Sequence, residues 1–125
     1  MQNLDTFIQT YMAMWHEPDA ARRRAMVADL FAGDAHNITS RSEQRGIDGI
    51  SARVKRAHDE WVAGKGFVFQ PAGNTTAQYQ LVKFYWHMVP KGGGKPEALG
   101  LDIFVLDEAG RIGALYQFNE PLPAA

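Results

Sequence analysis

The fold is decided by the stretch GLDIFVLDEAGRI, residues 100–112. Its first seven residues are apolar apart from Asp102, and they include the β-branched and aromatic side chains that favour strands. The tetrapeptide DEAG at 107–110 is a hairpin signal, so a return strand is predicted from residue 111 onward. A lone carboxyl group in an apolar strand needs an explanation that core packing does not supply. Asp102 is therefore the first candidate for a functional residue.

The second half of the chain is predicted to consist of strands. From Gly66 onward aromatic and β-branched residues are frequent, and turn signals separate the apolar runs, at Gly73 with Asn74 and in the Gly- and Pro-rich segment 90–96. We expect strands over residues 67–71, 75–89, 97–107 and 111–119.

The first half of the chain has a helical period. Apolar residues recur at steps of three and four from Leu4 to Phe31. Pro18 ends the first helix, Asp19 caps the second, and Asp48 is the expected cap of a third. Helices followed by a meander of antiparallel strands indicate one α+β domain over residues 1–125, with three N-terminal helices on one face of a curved sheet.

Composition excludes several classes of function. The chain has 125 residues, no cysteine and a formal net charge of -1, so neither a disulfide framework nor a general attraction to nucleic acid or anionic lipid is expected. No apolar run reaches the length of a membrane-spanning helix. We expect a cytoplasmic protein without a cofactor or a metal site, whose partner is a small molecule, with no role at nucleic acid or membrane.

Two segments resemble those of a known superfamily. Residues 100–112 are similar to the penultimate strand, hairpin and final strand of nuclear-transport-factor-2-like proteins of the SnoaL-like and ketosteroid-isomerase-like branch. Tyr11, Trp15, Asp19 and the segment LFAGDA at 30–35 are similar to its first two helices and first strand. The resemblance implies a cone-shaped antiparallel sheet, with the helices over its concave face and a pocket inside the cone.

The resemblance also implies roles for three residues. In ketosteroid isomerases a tyrosine and a protonated aspartic acid donate hydrogen bonds to a developing oxyanion. Tyr11 and Asp102 match those positions, and an apolar environment would favour the neutral form of Asp102. The position of the general base is taken by Thr39, which cannot act as one at neutral pH. His58 is the candidate substitute base, because its ordinary pKa suits proton transfer.

A ligand pocket is predicted from strand parity and from the resemblance. Alternate residues of a strand share a face, so one face of the sheet carries the apolar lining and the other a subunit interface with Tyr85, His87 and Ile103. The expected ligand is a small apolar molecule with a polar oxygen. The residues predicted to line its site are Trp15, Asn37, Thr39, Arg53, Val82, Phe84, Trp86, Met88, Phe104 and Asn119.

Besides a protein-interaction or transport module, two functions remain open on the sequence. One is an enzyme, a SnoaL-like cyclase, isomerase or dehydratase that acts on a small carbonyl compound through Asp102 and Tyr11. The other is a non-catalytic binding or accessory protein, favoured by the missing base at Thr39. Purely structural roles also remain open. Tyr11 and Trp15 could be core aromatics, and Asp102 could form a structural hydrogen bond. A homodimer through the outer sheet face is expected in either case.

Overall fold

The computed structural model describes residues 3–123. Its helices and strands confirm the α+β class. In chain order the elements are α1 (Leu4–His16), α2 (Ala20–Leu30), β1 (Phe31–Ile38), β2 (Glu43–Arg45), α3 (Gly46–Ala57), a π-helical turn (His58–Ala63), β3 (Phe67–Pro71), β4 (Thr76–Gln78), β5 (Leu81–Pro90), β6 (Ala98–Leu106) and β7 (Ile112–Glu120).

The strands form one mixed sheet in the order β2-β1-β7-β6-β5-β3, with β4 also paired to β5. Long antiparallel ladders join β5 to β6 and β6 to β7, as the hairpin signals predict. The expectation of a wholly antiparallel sheet needs a correction, because β1 pairs with β7 in parallel. Such a pairing is available to β1 because most of the chain, including α3, separates it from β7 and serves as the crossover.

The strand predicted over 75–89 is broken in two. Tyr79 has a φ of 53° and lies in a tight turn, after which the chain pairs back on itself between Gln78 and Leu81. The side chain of Tyr79 is 96% exposed. A tyrosine in the left-handed region is uncommon, and the segment lacks the Gly, Asn or Pro that marks turns. The turn therefore has no signal in the sequence.

Helix starts agree with the sequence at one position and differ at another. Asp19 caps α2, since its Oδ1 accepts hydrogen bonds from the backbone N–H groups of Ala21 at 2.9 Å and Arg22 at 3.0 Å. Asp48 was expected to cap α3, but the helix already begins at Gly46, whose φ of 70° turns the chain out of β2. Asp48 lies in the first turn instead and forms an ion pair with Arg24.

An aromatic cluster joins α1 to the sheet. The rings of Phe84 and Phe104 stack with centroids 5.7 Å apart, and Tyr11 packs edge-on against Phe104 with centroids 4.7 Å apart. Edge-on aromatic pairs stabilise a core beyond the area that they bury. Phe84, Phe104 and their neighbour Val82 are each 0% exposed. The three were predicted to line a pocket, but α1 covers this part of the inner face and makes them core.

Within residues 3–123, no helix combines the length and the apolar character that crossing a bilayer requires.

We expect the substitution Phe104→Ala to lower the free energy of unfolding by about 3–5 kcal/mol, because it opens a cavity beneath α1. Tyr79→Ala also removes an aromatic ring, but from a 96% exposed position, and should change stability by less than about 0.5 kcal/mol. Urea titrations followed by circular dichroism measure both values. Equal effects of the two substitutions would show that the aromatic cluster is not the core.

Candidate functional site

A cavity of about 1010 Å³ lies beyond the aromatic cluster, between the inner face of the sheet and the helices. Its size is in the range of small-molecule sites, near the upper end. Strand parity assigned the correct face, but α1 fills one half of that face and leaves the cavity in the other half. Of the residues predicted for the site, the cavity is lined by Tyr11, Trp15, Thr39, Arg53, Trp86, Met88, Asp102 and Asn119.

Asp102 lies on β6 at the inner end of this cavity and is only 1% exposed. Its Oδ2 accepts a hydrogen bond of 2.7 Å from the hydroxyl of Tyr11, and its Oδ1 accepts one of 3.0 Å from the indole Nε1–H of Trp86. The side-chain amide of Gln117 donates to the same carboxylate at 3.3 Å. Three donors from α1, β5 and β7 therefore replace the water that burial removes.

Trp86 reaches Asp102 because the residue opposite it has no side chain. Trp86 pairs with Gly100 across the β5–β6 ladder, and a Cβ atom added to Gly100 would lie 2.0 Å from Cε2 of the indole ring. The ring thus occupies the space above Gly100, and its N–H points to the carboxylate of Asp102, two residues further along β6. Gly100 is a close-approach glycine that the sequence did not single out.

Burial raises the pKa of Asp102 to about 6, although the hydrogen bonds from Trp86, Tyr11 and Gln117 and the charge of Arg53 oppose this rise. The direction agrees with the sequence-based expectation. A pKa of about 6 nevertheless leaves the carboxylate form in excess by about ten to one at pH 7. Asp102 is therefore mainly an acceptor of hydrogen bonds at neutral pH.

Tyr11 keeps its proton over the whole physiological range. Burial, and next the charge of Asp102, raise the pKa of Tyr11 well above its ordinary value. The phenol then donates to Asp102 rather than into the cavity. The two residues meet as the resemblance implied, but they bond to each other instead of pointing together at one ligand oxygen.

A second group of polar side chains lies next to the carboxylate. Arg53 of α3 donates from Nε to Oδ1 of Asn37 at 2.8 Å and from Nη2 to Oε1 of Gln117 at 2.7 Å. Asn37 also donates to Gln117 at 3.0 Å. Asn37 was predicted to touch the ligand. It is instead buried outside the cavity lining, where it supports Arg53.

Gln117 is the residue whose role sequence reasoning missed. Its side-chain amide links Arg53 to Asp102. A signal for this role existed, because Gln117 is the direct partner of Asp102 in the β6–β7 ladder. Paired residues of an antiparallel ladder share a face, so an amide opposite a buried carboxylate is a natural donor.

His58 and Thr39 do not supply a base. The imidazole of His58 is buried outside the cavity lining, and its Nδ1 lies 2.9 Å from the backbone carbonyl oxygen of Trp15, which can only accept. His58 was expected to face into the cone, but it ties the π-helical turn to α1 instead. Thr39 lies at the cavity rim, where its Oγ1 accepts from the backbone N–H groups of Arg41 and Ser42 at 3.1 Å each.

In the part of the chain that the structure describes, no three His, Cys, Asp or Glu side chains come together as ligands for a metal ion.

We expect Gly100→Ala to raise the pKa of Asp102 above 6, because the new methyl group displaces the Trp86 indole and removes a donor that lowers this pKa. Carbon-13 NMR of the Asp102 carboxyl group measures the titration, and the indole N–H signal of Trp86 reports the displacement. Gly113→Ala is the matched control on β7, since its Cβ would meet Val105 O at an ordinary 3.5 Å. An unchanged Asp102 titration in Gly100→Ala would contradict the arrangement described.

Comparison with solved structures shows the fold to be a known one. A candidate isomerase of the SnoaL-like family from Agrobacterium tumefaciens superposes with a TM-score of 0.83 and 28% sequence identity, covering 93% of this chain and 96% of that one. An NTF2-like protein of unknown function from Exiguobacterium gives a TM-score of 0.70 at 18% identity, over 93% and 99% of the two chains. A candidate polyketide cyclase from Sinorhizobium meliloti gives 0.68 at 17% identity, over 94% and 99%.

Comparison with family models and with curated proteins gives no match. The structural matches extend over nearly the full length of both chains, and they agree with the resemblance inferred from residues 11–35 and 100–112. The chain belongs to the nuclear-transport-factor-2-like superfamily, together with the SnoaL-like proteins that share its fold.

Proposed function

We propose that the cavity binds a small, largely apolar molecule with a carbonyl oxygen, and that Asp102 removes a proton from the carbon beside that carbonyl. The observation that carries the proposal is a single one. Asp102 lines the cavity at 1% exposure with a pKa of about 6. A buried carboxylate that titrates this close to neutral pH is a stronger base than an ordinary aspartate and is still mostly ionised at pH 7.

The same first step serves each reaction class considered for the chain. Isomerisation of a double bond, an intramolecular aldol cyclisation and elimination of water all begin when a base takes the proton next to a carbonyl group. The proton goes to the carboxylate, the electrons of the broken C–H bond form a C=C bond to the carbonyl carbon, and the π electrons of the carbonyl group move to its oxygen, where negative charge develops. The fold of SnoaL-like candidate isomerases and of a candidate polyketide cyclase is consistent with this class.

Tyr11 has a role in both halves of this step. Before proton transfer its hydroxyl donates to the ionised Asp102 at 2.7 Å. After transfer Asp102 is neutral, and the negative charge has moved to the oxygen of the substrate. The Tyr11 hydroxyl, which also lines the cavity, can then donate to that oxygen. The Asp–Tyr pair thus acts in sequence, as base and then as hydrogen-bond donor.

Binding without chemistry is the second candidate function. Both oxygens of Asp102 already accept hydrogen bonds, from Tyr11, Trp86 and Gln117. A carboxylate satisfied in this way can hold the cavity wall in place without exchanging a proton with a ligand. The two functions differ in whether Asp102 is needed for turnover or only for the shape of the site.

A probe reaction separates the two functions. The opening of 5-nitrobenzisoxazole requires only that a base remove the proton on its isoxazole carbon. We expect the protein to accelerate it, with kcat/KM rising as pH increases through about 6, because the base must be deprotonated. Asp102→Asn should lower kcat/KM about a hundredfold or more, since a positioned base contributes roughly 10²–10⁴.

Glu97→Gln is the matched control for this experiment. Glu97 is an exposed carboxylate on the lining of the same cavity, so its loss should leave the rate unchanged within about twofold. A rate that falls as pH rises through 6 would favour the neutral-donor role of Asp102 instead. Binding of the probe without any rate dependent on Asp102 would favour the non-catalytic function.

We also propose that the outer face of the sheet forms a homodimer interface. The residues that point away from the cavity on β5, β6 and β7 are largely apolar, and Tyr116 is 40% exposed on this face. Tyr85 and His87 on β5 and Ile103 on β6 share it by strand parity. An apolar patch that runs across three adjacent strands is typical of a protein interface.

We expect the wild-type chain to sediment as a dimer at micromolar concentration and Ile103→Asp to sediment as a monomer, because a charge at the centre of the patch cannot be desolvated without a partner. Leu122→Asp is the control, since Leu122 is 40% exposed beyond the end of β7. Analytical ultracentrifugation measures the mass. A monomeric wild type would exclude the interface.

A further inference from the structure

The charges on the cavity wall are unequal. Among residues 3–123, four cationic side chains and two carboxyl groups contribute to its lining. They are Arg41, Arg53, Arg56 and Lys65 on the positive side and Glu97 and Asp102 on the negative side. A cavity of one dominant sign attracts ligands of the opposite sign.

Three of the four cations are not neutralised by a direct partner. Lys65 pairs with Glu60 at 3.4 Å and lies 4.0 Å from the ring centroid of Trp61. The ion pairs of the described residues do not include Arg41, Arg53 or Arg56. Within residues 3–123, the positive charges of Arg41, Arg53 and Arg56 therefore have no carboxylate in direct contact.

Arg53 is the most constrained of these cations. It is half-buried, and its guanidinium lies 5.9 Å from the ring centroid of Trp15. Its hydrogen bonds use Nε and Nη2 and go to two neutral amide oxygens, those of Asn37 and Gln117. Nη1 makes none of these bonds. The fork of the guanidinium is thus held in one orientation with a donor left over.

The nearest fixed negative charge does not reach Arg53. Asp102 attracts the guanidinium through space, but the side-chain amide of Gln117 lies between them and bonds to both. Burial lowers the pKa of Arg53 below its ordinary value, so the partly desolvated cation gains from an additional anionic partner. The cavity side of Arg53 is where such a partner can enter.

We propose that the ligand of this cavity carries a carboxylate, and that Arg53 binds it with the help of Arg56 and Arg41 at the entrance. The inference rests on the proposed function, because it names the class of molecule that the same cavity takes. The side chain of Gln117 lies between Arg53 and Asp102 and bonds to both. The carboxylate of the ligand is therefore only a few bonds from the carbon whose proton Asp102 removes. The ligand is an apolar acid with its charge close to its reactive carbon.

Two fluorescent probes with the same skeleton test this inference. The probe 8-anilinonaphthalene-1-sulfonate carries an anion that stands in for the carboxylate, and N-phenyl-1-naphthylamine is the same molecule without it. Dissociation constants for both, at a stoichiometry of one per chain, are measured by fluorescence titration. We expect Arg53→Gln to weaken the sulfonate probe about tenfold or more, and the neutral probe less than about twofold.

Three further variants keep the test interpretable. Arg53→Lys keeps the charge and should retain sulfonate binding within about threefold, because part of the interaction needs only a cation. Arg56 is exposed and forms no side-chain hydrogen bond within residues 3–123, so Arg56→Gln should weaken the sulfonate probe about two- to fivefold. Lys55→Gln removes a positive charge from the same helix, outside the lining, and should change neither probe more than about twofold.

The outcomes distinguish this inference from the proposed function. Selective loss of the sulfonate probe in Arg53→Gln or Arg56→Gln supports it. Equal loss of both probes in Arg53→Gln would show a structural role for Arg53, and unchanged sulfonate binding in both variants would exclude the anion site. Either result overturns the inference and leaves an apolar cavity. If neither probe binds the wild type, both proposals fail. Should Arg53→Gln not fold by circular dichroism, the loss or retention of sulfonate binding in Arg56→Gln decides.

Discussion

The burial of one carboxyl group is the constraint on which the rest of this structure depends. Removing an ionised carboxylate from water costs several kcal/mol unless donors replace the solvent. Here the donors come from three elements, the Tyr11 hydroxyl on α1, the Trp86 indole on β5 and the Gln117 amide on β7. Asp102 can be buried only if all three elements lie where they do. The packing of α1 over the sheet and the geometry of the site therefore depend on each other.

Tyr11 shows how the core and the site share this requirement. Its ring packs edge-on against Phe84 and Phe104, at centroid distances of 5.7 and 4.7 Å, while its hydroxyl bonds to Asp102. The apolar contacts fix the ring, and the fixed ring aims the hydroxyl. A rigid donor of this kind costs little reorganisation when charge moves from the carboxylate to a ligand, which is the condition for electrostatic preorganisation.

The sequence showed which face of the sheet a strand residue occupies. It showed less well how deeply a side chain is buried and which way its hydrogen bonds point. Strand parity placed Asp102, Trp86 and Phe84 on the inner face correctly, since side chains alternate along every strand. It could not show that α1 covers Phe84 and leaves Trp86 at a cavity, because that depends on where a helix packs. The sequence also could not show which partner a polar side chain would choose. The ring of His58, for example, bonds to the backbone carbonyl of Trp15 and not to a group in the cavity. The turn at Tyr79 had no composition signal at all.

The amide of Gln117 joins the two charged groups of the site into one electrostatic unit. The positive charge of Arg53 is among the factors that hold the pKa of Asp102 down. An anion bound to Arg53 would cancel part of that effect, and the affinity of Asp102 for a proton would rise. Linkage is reciprocal, so a ligand that strengthens the base is itself bound more tightly once the proton has moved. Binding energy at Arg53 would thus be available to proton transfer at Asp102, because one side chain contacts both.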